Sequence, residues 1–245
     1  MKERMFGVDV NTESSESTMR HIFSQLDAGK KSFIVAINPE KLMKSRRDDE
    51  LRDILNAATV GIPDGIGVVL ASRLRGGNIK GRITGIDMME SLCSEAGMRD
   101  VPVFLYGAKP GVANKAAENL QEKYPSLRVA GTLDGYEKDE QKIIQTINDS
   151  GAKILFVALG SPTQEHFIIR NMDKLNVMVF QGVGGSFDVF SGNIDRAPEA
   201  FRKFGLEWLY RLLKEPSRWK RQLELPKFLI AVLTERRDSG GTPYE

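Results

Sequence analysis

The chain has 245 residues, 41% hydrophobic and 28% charged, a balance that excludes wholesale disorder and suits one large α/β domain or one domain with an appendage. Its single cysteine, Cys93, excludes an intramolecular disulfide and a cysteine-based metal cluster, and no window of ~18 uninterrupted apolar residues offers a transmembrane helix. The net charge of +2 is unevenly spread: residues 202–237 hold ten Lys/Arg against four Asp/Glu, a local +6, while the stretches before and after are each −2.

The opening MKERMFGVDV has no long apolar stretch after its charges and does not read as a signal peptide. With the cysteine usage, this points to a reducing, cytoplasmic compartment. Residues 33–37 form an apolar β-type run, and 39–58 read as one or two helices in which Asp48-Asp49-Glu50 is a solvated face. Residues 59–62 are strand-like and 66–75 helical. Thr84 caps the next helix with Asp87 as a box-like partner three residues on. Cys93 falls on that helix's apolar side with Met89, Leu92 and Ala96, which is core packing. Residues 103–106 are a strand ending at Gly107, 111–123 a helix, 128–133 a strand and 138–148 a helix. Residues 154–159 are a strand ending at Gly160, 163–171 a helix, and 177–181 a strand ending at Gly182.

This β-α-β-α rhythm predicts an α/β fold, a Rossmann-like, mostly parallel sheet with helices on both faces. Right-handed crossovers then bring the strand-following loops to one edge, where ligands of such sheets bind. Those loops are Ile37-Asn38-Pro39, Pro63-Asp64-Gly65, Gly107-Ala108-Lys109, 160–164 and 182–188.

After Arg196-Ala197-Pro198 the strand pattern stops. We divide the chain into an α/β catalytic domain (1–197), a basic amphipathic helical appendage (198–237) and a disordered tail (238–245). In the appendage Trp208, Leu209, Leu212 and Leu213 interleave with Arg211 and Lys214. Pro216 breaks the helix, and Pro226 breaks it again before Phe228. Both tryptophans, Trp208 and Trp219, lie here. A stretch this basic seeks an anionic partner: a membrane surface, a nucleic acid or a phosphorylated ligand. Trp with Lys/Arg on an amphipathic helix is the composition of an interfacial membrane segment, with about 1 kcal/mol of attraction per well-placed cation. The alternative is a helix packed on the main domain or between subunits.

Among the motifs, Asp64 sits at a strand end before Gly65 and Gly67. It reads either as a general base towards a sugar hydroxyl or as the cap of the helix starting near Ile66. Arg82, before a helix N-terminus, can hold a phosphate with its guanidinium and backbone N–H groups or pair with an exposed acid. Gln164 can hydrogen-bond a sugar or diphosphate, and Glu165 suits the helix dipole. The glycines of 182–188 miss the G-x-G-x-x-G spacing, and there is no P-loop. His21 and His166 lack metal-ligand spacing, and no Asp-x-Asp is present, so metal independence is expected. A departing diphosphate must then be met by arginines, lysines and backbone N–H groups.

In this order, Asn38-Pro39-Glu40, Pro63-Asp64-Gly65-Ile66-Gly67, Arg82-Ile83-Thr84-Gly85-Ile86-Asp87, Gly160-Ser161-Pro162-Thr163-Gln164-Glu165, 182–188, Arg196-Ala197-Pro198, 206–211 and 215–218 resemble the WecG/TagA/CpsF glycosyltransferase family. The match runs from about residue 5 to about residue 233. The resemblance implies inverting transfer of N-acetylmannosamine from a UDP donor to the 4-hydroxyl of N-acetylglucosamine on undecaprenyl diphosphate, in wall teichoic acid linkage-unit synthesis. It implies no cofactor, no metal and no nucleic acid. It also implies a peripheral place on the inner face of the cell membrane, against its anionic surface. Asp64 would be the general base, with Asn38, Arg82 and Gln164 lining the reaction centre. Tyr136 and Asp188 would serve the uridine end, and Gly107, Gly160 and Gly185 the substrate-binding loops. Arg211, Arg218 and Arg221 would close over the diphosphate. Ala36 stands where the pattern leads one to expect a hydroxyl-bearing residue. Another donor, such as UDP-N-acetylmannosaminuronic acid or UDP-glucose, and a non-catalytic nucleotide- or membrane-binding module are the alternatives, and a homo-oligomer is open.

Overall fold

The computed structural model describes residues 1–214 and 224–234. A hairpin of β1 (Lys2–Met5) and β2 (Val8–Asn11) leads into α1 (Ser15–Asp27), then β3 (Ser32–Ile37), α2 (Pro39–Ser45), α3 (Asp49–Ala57), β4 (Val60–Pro63), α4 (Ile66–Leu74) and α5 (Gly85–Met98). There follow β5 (Val103–Gly107), α6 (Val112–Lys123), β6 (Val129–Leu133), α7 (Glu140–Asp149), β7 (Ile154–Ala158), α8 (Thr163–Asn171), β8 (Val179–Gly182) and α9 (Ser186–Phe190). The chain ends in α10 (Glu199–Lys203), α11 (Glu207–Lys214) and α12 (Glu224–Thr234).

Six strands form one parallel sheet in the order β4-β3-β8-β7-β5-β6, the α/β fold expected from the sequence. Every residue of β3, β5, β7 and β8 is buried, which is why these strands read as largely apolar runs, broken only by Ser32 and Gln181, rather than as alternating ones. The strand period of two still sorts their side chains. Phe33, Val35, Phe104, Tyr106, Leu155, Val157 and Phe180 enter the core beneath α2, α3, α4, α7, α8 and α12. Ile34, Ala36, Val103, Leu105, Ile154, Phe156 and Val179 enter the opposite core beneath α1, α5, α6 and α9, where Cys93 is fully buried.

Neighbouring strands β5 and β7 send their connections in opposite directions, to β6 and to β8, and the connecting helices α6 and α8 cover opposite faces. That reversal opens a crevice between the two strand ends, the usual ligand position in an open parallel sheet.

Several helices start at side-chain caps: Ser14, Asn38, Asp48, Thr84 and Asp139 each accept from an amide two or three residues on. Asp48 therefore starts α3, although the sequence reads it as part of a solvated face. The hairpin and α1 escape sequence reading. The hairpin turns through Phe6 and Gly7, both at positive φ (51° and 79°), without the Asn-Gly or Asp-Gly signal of such turns. β2 shields the β4 edge of the sheet: a Cβ added at Gly61 would come within 2.7 Å of the Asp9 carbonyl.

The C-terminal helices carry one correction. Pro226 does not break the chain before Phe228: α12 begins at Glu224 and runs through it. Proline in a first turn removes an N–H that has no helical partner anyway. α12 buries Phe228, Ala231 and Val232. Phe228 stacks edge-on against Phe6 (5.7 Å, 69°), whose ring also lies 4.9 Å beneath the Arg75 guanidinium. Gly67 of α4 admits this helix: a Cβ there would touch Phe228 at 3.8 Å and Leu225 at 3.9 Å. Pro216 lies outside the described residues. Among the described residues no helix is long and apolar enough to cross a membrane.

Phe228→Ala removes a fully buried ring and is expected to cost about 3–5 kcal/mol. Amide hydrogen exchange across 224–234 would accelerate accordingly; exchange as slow as in the parent protein would show that α12 is not held by this contact.

Candidate active site

The sheet's carboxyl rim is polar where its body is not, and its contacts fall into three neighbouring groups. At the β3–β4 end, Asn38 caps α2, its Oδ1 accepting from the Lys41 amide at 2.9 Å. The Asp64 amide donates to the Ile37 carbonyl at 2.8 Å, which carries the pairing of the two strands one residue past β4. The cap of α4 is Gly65, at φ +94°, with no side-chain hydrogen bond to the helix. The N-cap position of α4 is thus taken by Gly65, one residue after Asp64. Asp64 is half-buried at the rim.

Arg82 is tied to the same place through its neighbour, since the Ile83 amide donates to the Pro63 carbonyl at 2.9 Å. Thr84 Oγ1 accepts from the Asp87 amide and donates to Asp87 Oδ2 at 2.6 Å, the box expected from sequence. Arg82 Nη2 donates to the Arg202 carbonyl at 2.8 Å and lies 3.5 Å from Glu207 Oε1.

The middle group centres on a buried relay. Lys41 Nζ donates to Glu165 Oε1 at 2.7 Å, and Gln164 Nε2 donates to the same oxygen at 3.0 Å. Gln164 Oε1 in turn accepts from the Gly184 amide at 2.9 Å. Gln164 is 3% exposed and Glu165 fully buried. A Cβ at Gly182 would stand 2.6 Å from Gln164 Nε2, so glycine at the end of β8 makes the room that the amide fills. Burial pushes the Glu165 carboxyl up, but the Lys41 ammonium, its hydrogen bond and that of Gln164 outweigh this and hold it below the usual carboxylate range. Lys41 thus orients two rim residues at once: Asn38 through its backbone and Gln164 through Glu165. The sequence reads Glu165 as a helix-dipole residue; it is instead half of a buried ion pair.

At the β5–β7 crevice three loops touch. The Ala108 amide donates to the Ala158 carbonyl at 2.8 Å and the Gly135 amide to the Ala108 carbonyl at 2.9 Å. Gly107 lies at φ +121°, and a Cβ there would come 2.5 Å from the Ala158 carbonyl oxygen, a contact only glycine avoids. Gly160 begins the adjoining loop. Tyr136, 60% exposed, follows Gly135 directly. Asp188 is half-buried in α9, its carboxylate 3.9 Å from a Cβ built on Gly185.

The fold thus gathers Asn38, Asp64, Arg82, Gln164, Gly107, Tyr136, Gly160, Gly185 and Asp188 along one rim. Arg211 lies in α11, but its side chain, like Arg218 and Arg221 altogether, falls outside the described residues. Among the described residues no three His, Cys, Asp or Glu side chains group to hold a metal ion. A groove between α1 and α5, bordered by Met19, Phe23, Met98 and Tyr124, lies on a helical face and contains none of the rim loops.

Two residues that the sequence does not single out matter to this geometry. Lys41 has no local signal, because its partner is 124 residues away. Arg196 reads as a boundary marker, yet its guanidinium joins Asp87 and bonds Glu90 Oε2 at 2.8 Å, anchoring the start of the C-terminal helices to α5.

Residues 3–241 match the model of the Glycosyl transferase WecG/TagA/CpsF family. A relative from Bacillus spizizenii (strain ATCC 23059 / NRRL B-14472 / W23), named N-acetylglucosaminyldiphosphoundecaprenol N-acetyl-beta-D-mannosaminyltransferase, is 42% identical over 219 residues, 89% of this chain and 85% of its own length. A relative of the same name from Bacillus subtilis (strain 168) is 40% identical over 205 residues, 84% of this chain and 80% of its own.

Lys41→Met strands a buried carboxylate and is expected to lower stability by about 3–5 kcal/mol, while Lys41→Met/Glu165→Gln recovers most of it. Urea midpoints read both; a double variant as unstable as the single one would refute the pair. The ordinary Glu165 value is 4.5 and the folded one is lower, so the pair contributes fully above pH 4.5 and is lost as pH falls through the lowered value. The double variant should therefore lose stability less steeply below pH 4.5 than the parent.

Proposed function

Because the chain belongs to the WecG/TagA/CpsF family it is a glycosyltransferase, and we propose that it moves N-acetylmannosamine from UDP-N-acetylmannosamine to the 4-hydroxyl of N-acetylglucosamine carried on undecaprenyl diphosphate. The anomeric centre inverts, and the product belongs to the wall teichoic acid linkage unit. The observation that supports this reading best is the place of Asp64: a half-buried acid at the strand rim, one residue past β4, set beside the Arg82 segment by the Ile83–Pro63 hydrogen bond.

In the proposed step the acceptor oxygen attacks the anomeric carbon from the side opposite UDP. Its proton passes to the Asp64 carboxylate as the new bond forms. The bond from the anomeric carbon to the diphosphate oxygen breaks, and its electron pair leaves with UDP. Arg82 faces the negative charge that develops there. Arg211, Arg218 and Arg221 are assigned to the same charge. Asn38 and Gln164 orient the sugar, each already fixed through Lys41. The crevice glycines Gly107, Gly160 and Gly185 leave the backbone open to a nucleotide, with Tyr136 and Asp188 at the uridine end.

We place the enzyme on the inner face of the membrane, as a peripheral protein with residues 198–237 as its appendage. The exposed side chains of Phe204, Leu213, Ile230 and Leu233 (75, 67, 61 and 72% exposed) support this, as does the +6 charge of 202–237. An anionic surface supplies the complement to both.

The deciding experiment incubates the protein with UDP-N-acetylmannosamine and a short-chain lipid-diphosphate N-acetylglucosamine and follows UDP release. Release that requires both substrates and survives a chelator is expected. Release from UDP-glucose in preference would reassign the donor. Asp64→Asn should keep UDP binding and lose turnover roughly 10²-fold or more; near-normal turnover would remove Asp64 from the role. Sedimentation with anionic vesicles, weakened by salt and absent with neutral vesicles, is expected of the membrane assignment; equal binding to both would oppose it.

A further inference from the structure

The turn joining α10 to α11 closes around Arg82. Gly205 in that turn sits at φ +70°, and a Cβ there would come 2.8 Å from the Ile66 side chain. The turn is therefore pressed against the first residue of α4, two positions beyond Asp64. Phe201 and Tyr210 brace the two helices with rings 5.6 Å apart. At the end of α10, the Arg202 carbonyl accepts from the Gly205 amide at 3.1 Å and from Arg82 Nη2 at 2.8 Å. In the first turn of α11, Glu207 Oε1 lies 3.5 Å from the same nitrogen. Arg82 and Glu207 are only 19 and 20% exposed, so the pair is largely withdrawn from water.

Both contacts fall on Nη2. A guanidinium has five N–H donors, and among the described residues this arrangement grips one nitrogen and engages neither Nε–H nor the Nη1 donors. A carboxylate that merely occupied the anion's place would be expected to take the open donors as well. We propose that Glu207 is a positioning residue: with the Arg202 carbonyl it holds Arg82 from behind, so that Arg82 meets the departing diphosphate only while the α10–α11 turn is docked on α4. This rests on the proposed glycosyl transfer and adds to it a link between the C-terminal helices and the reacting charge.

The test compares the parent, Glu207→Ala, Glu207→Gln, Arg82→Ala and Arg82→Ala/Glu207→Ala, measuring kcat, the KM for each substrate and UDP affinity on variants with parental Tm. Glu207→Ala should lower kcat roughly tenfold or more, the scale of a charged group held less well in place, with UDP affinity changed less than about twofold. Glu207→Gln, which keeps an acceptor oxygen, should fall between. In the Arg82→Ala background Glu207→Ala should add no further loss. Tighter UDP binding or faster turnover in Glu207→Ala would mean that the carboxylate competes with phosphate, and unchanged or additive kinetics that Glu207 does not act through Arg82; each overturns the proposal. Should Glu207→Ala fail to reach parental Tm, Glu207→Gln carries the same comparison. A parent that releases no UDP sinks the glycosyl-transfer reading itself, whereas an active parent with an indifferent Glu207→Ala sinks only this inference.

Discussion

A parallel sheet buried on both faces has to be crossed over at every strand, and this constraint organises the whole molecule. Each crossover takes a helix, each helix covers a face, and every strand leaves the core at the same rim. Apolar side chains are consumed by the two faces. Polar residues near the strands therefore collect where the strands end: Asn38 after β3, Asp64 after β4, Gln164 after β7 and the glycine turn after β8. The site is a by-product of the topology before it is a set of chemical groups.

Crowding at that rim sets the second requirement. Six strand ends packed this closely leave little room for side chains that turn inwards. Where Gln164 folds over β8 the neighbour is Gly182, and where β5 meets β7 it is Gly107 against the Ala158 carbonyl. The buried Lys41–Glu165 pair follows the same logic. Gln164 can be held rigid only if its amide group finds partners, and the partner it finds is a carboxylate that could not be buried without a cation. Lys41 supplies that cation from α2, the helix that Asn38 starts. The pair is better understood as a device for orientation than as a source of net stability.

Residues that act on near neighbours were legible in the sequence. The helix at 163–171 and the Thr84–Asp87 box were readable to the residue, because caps and apolar periodicity act within a turn. The strand-end loops were readable because a parallel sheet allows them only one edge. What the sequence did not reveal depends on distance or on backbone geometry. The turn at Phe6-Gly7 places a large aromatic at positive φ, against its own preference, to bring Phe6 beneath Phe228. Pro226 looks the same whether it ends a helix or begins one. Lys41 finds Glu165, and Arg196 finds Asp87 and Glu90, only once the chain is folded.

Two of the cations at the rim are already engaged. Lys41 is committed to Glu165, and Arg82 is gripped by one nitrogen at the α10–α11 turn. A departing diphosphate carries more negative charge than one arginine can meet, and on the proposed reading the rest comes from residues 202–237, where the chain concentrates its basic side chains. Those same cations favour an anionic bilayer, where on the proposed reading the acceptor's own diphosphate lies. One segment thus answers two demands for positive charge, and it reaches the rim through Arg82. A rim that was complete in solution would expose an activated donor to water. A rim that borrows its last charges from helices drawn to the lipid surface brings the donor's departing charge and the acceptor together in the same place.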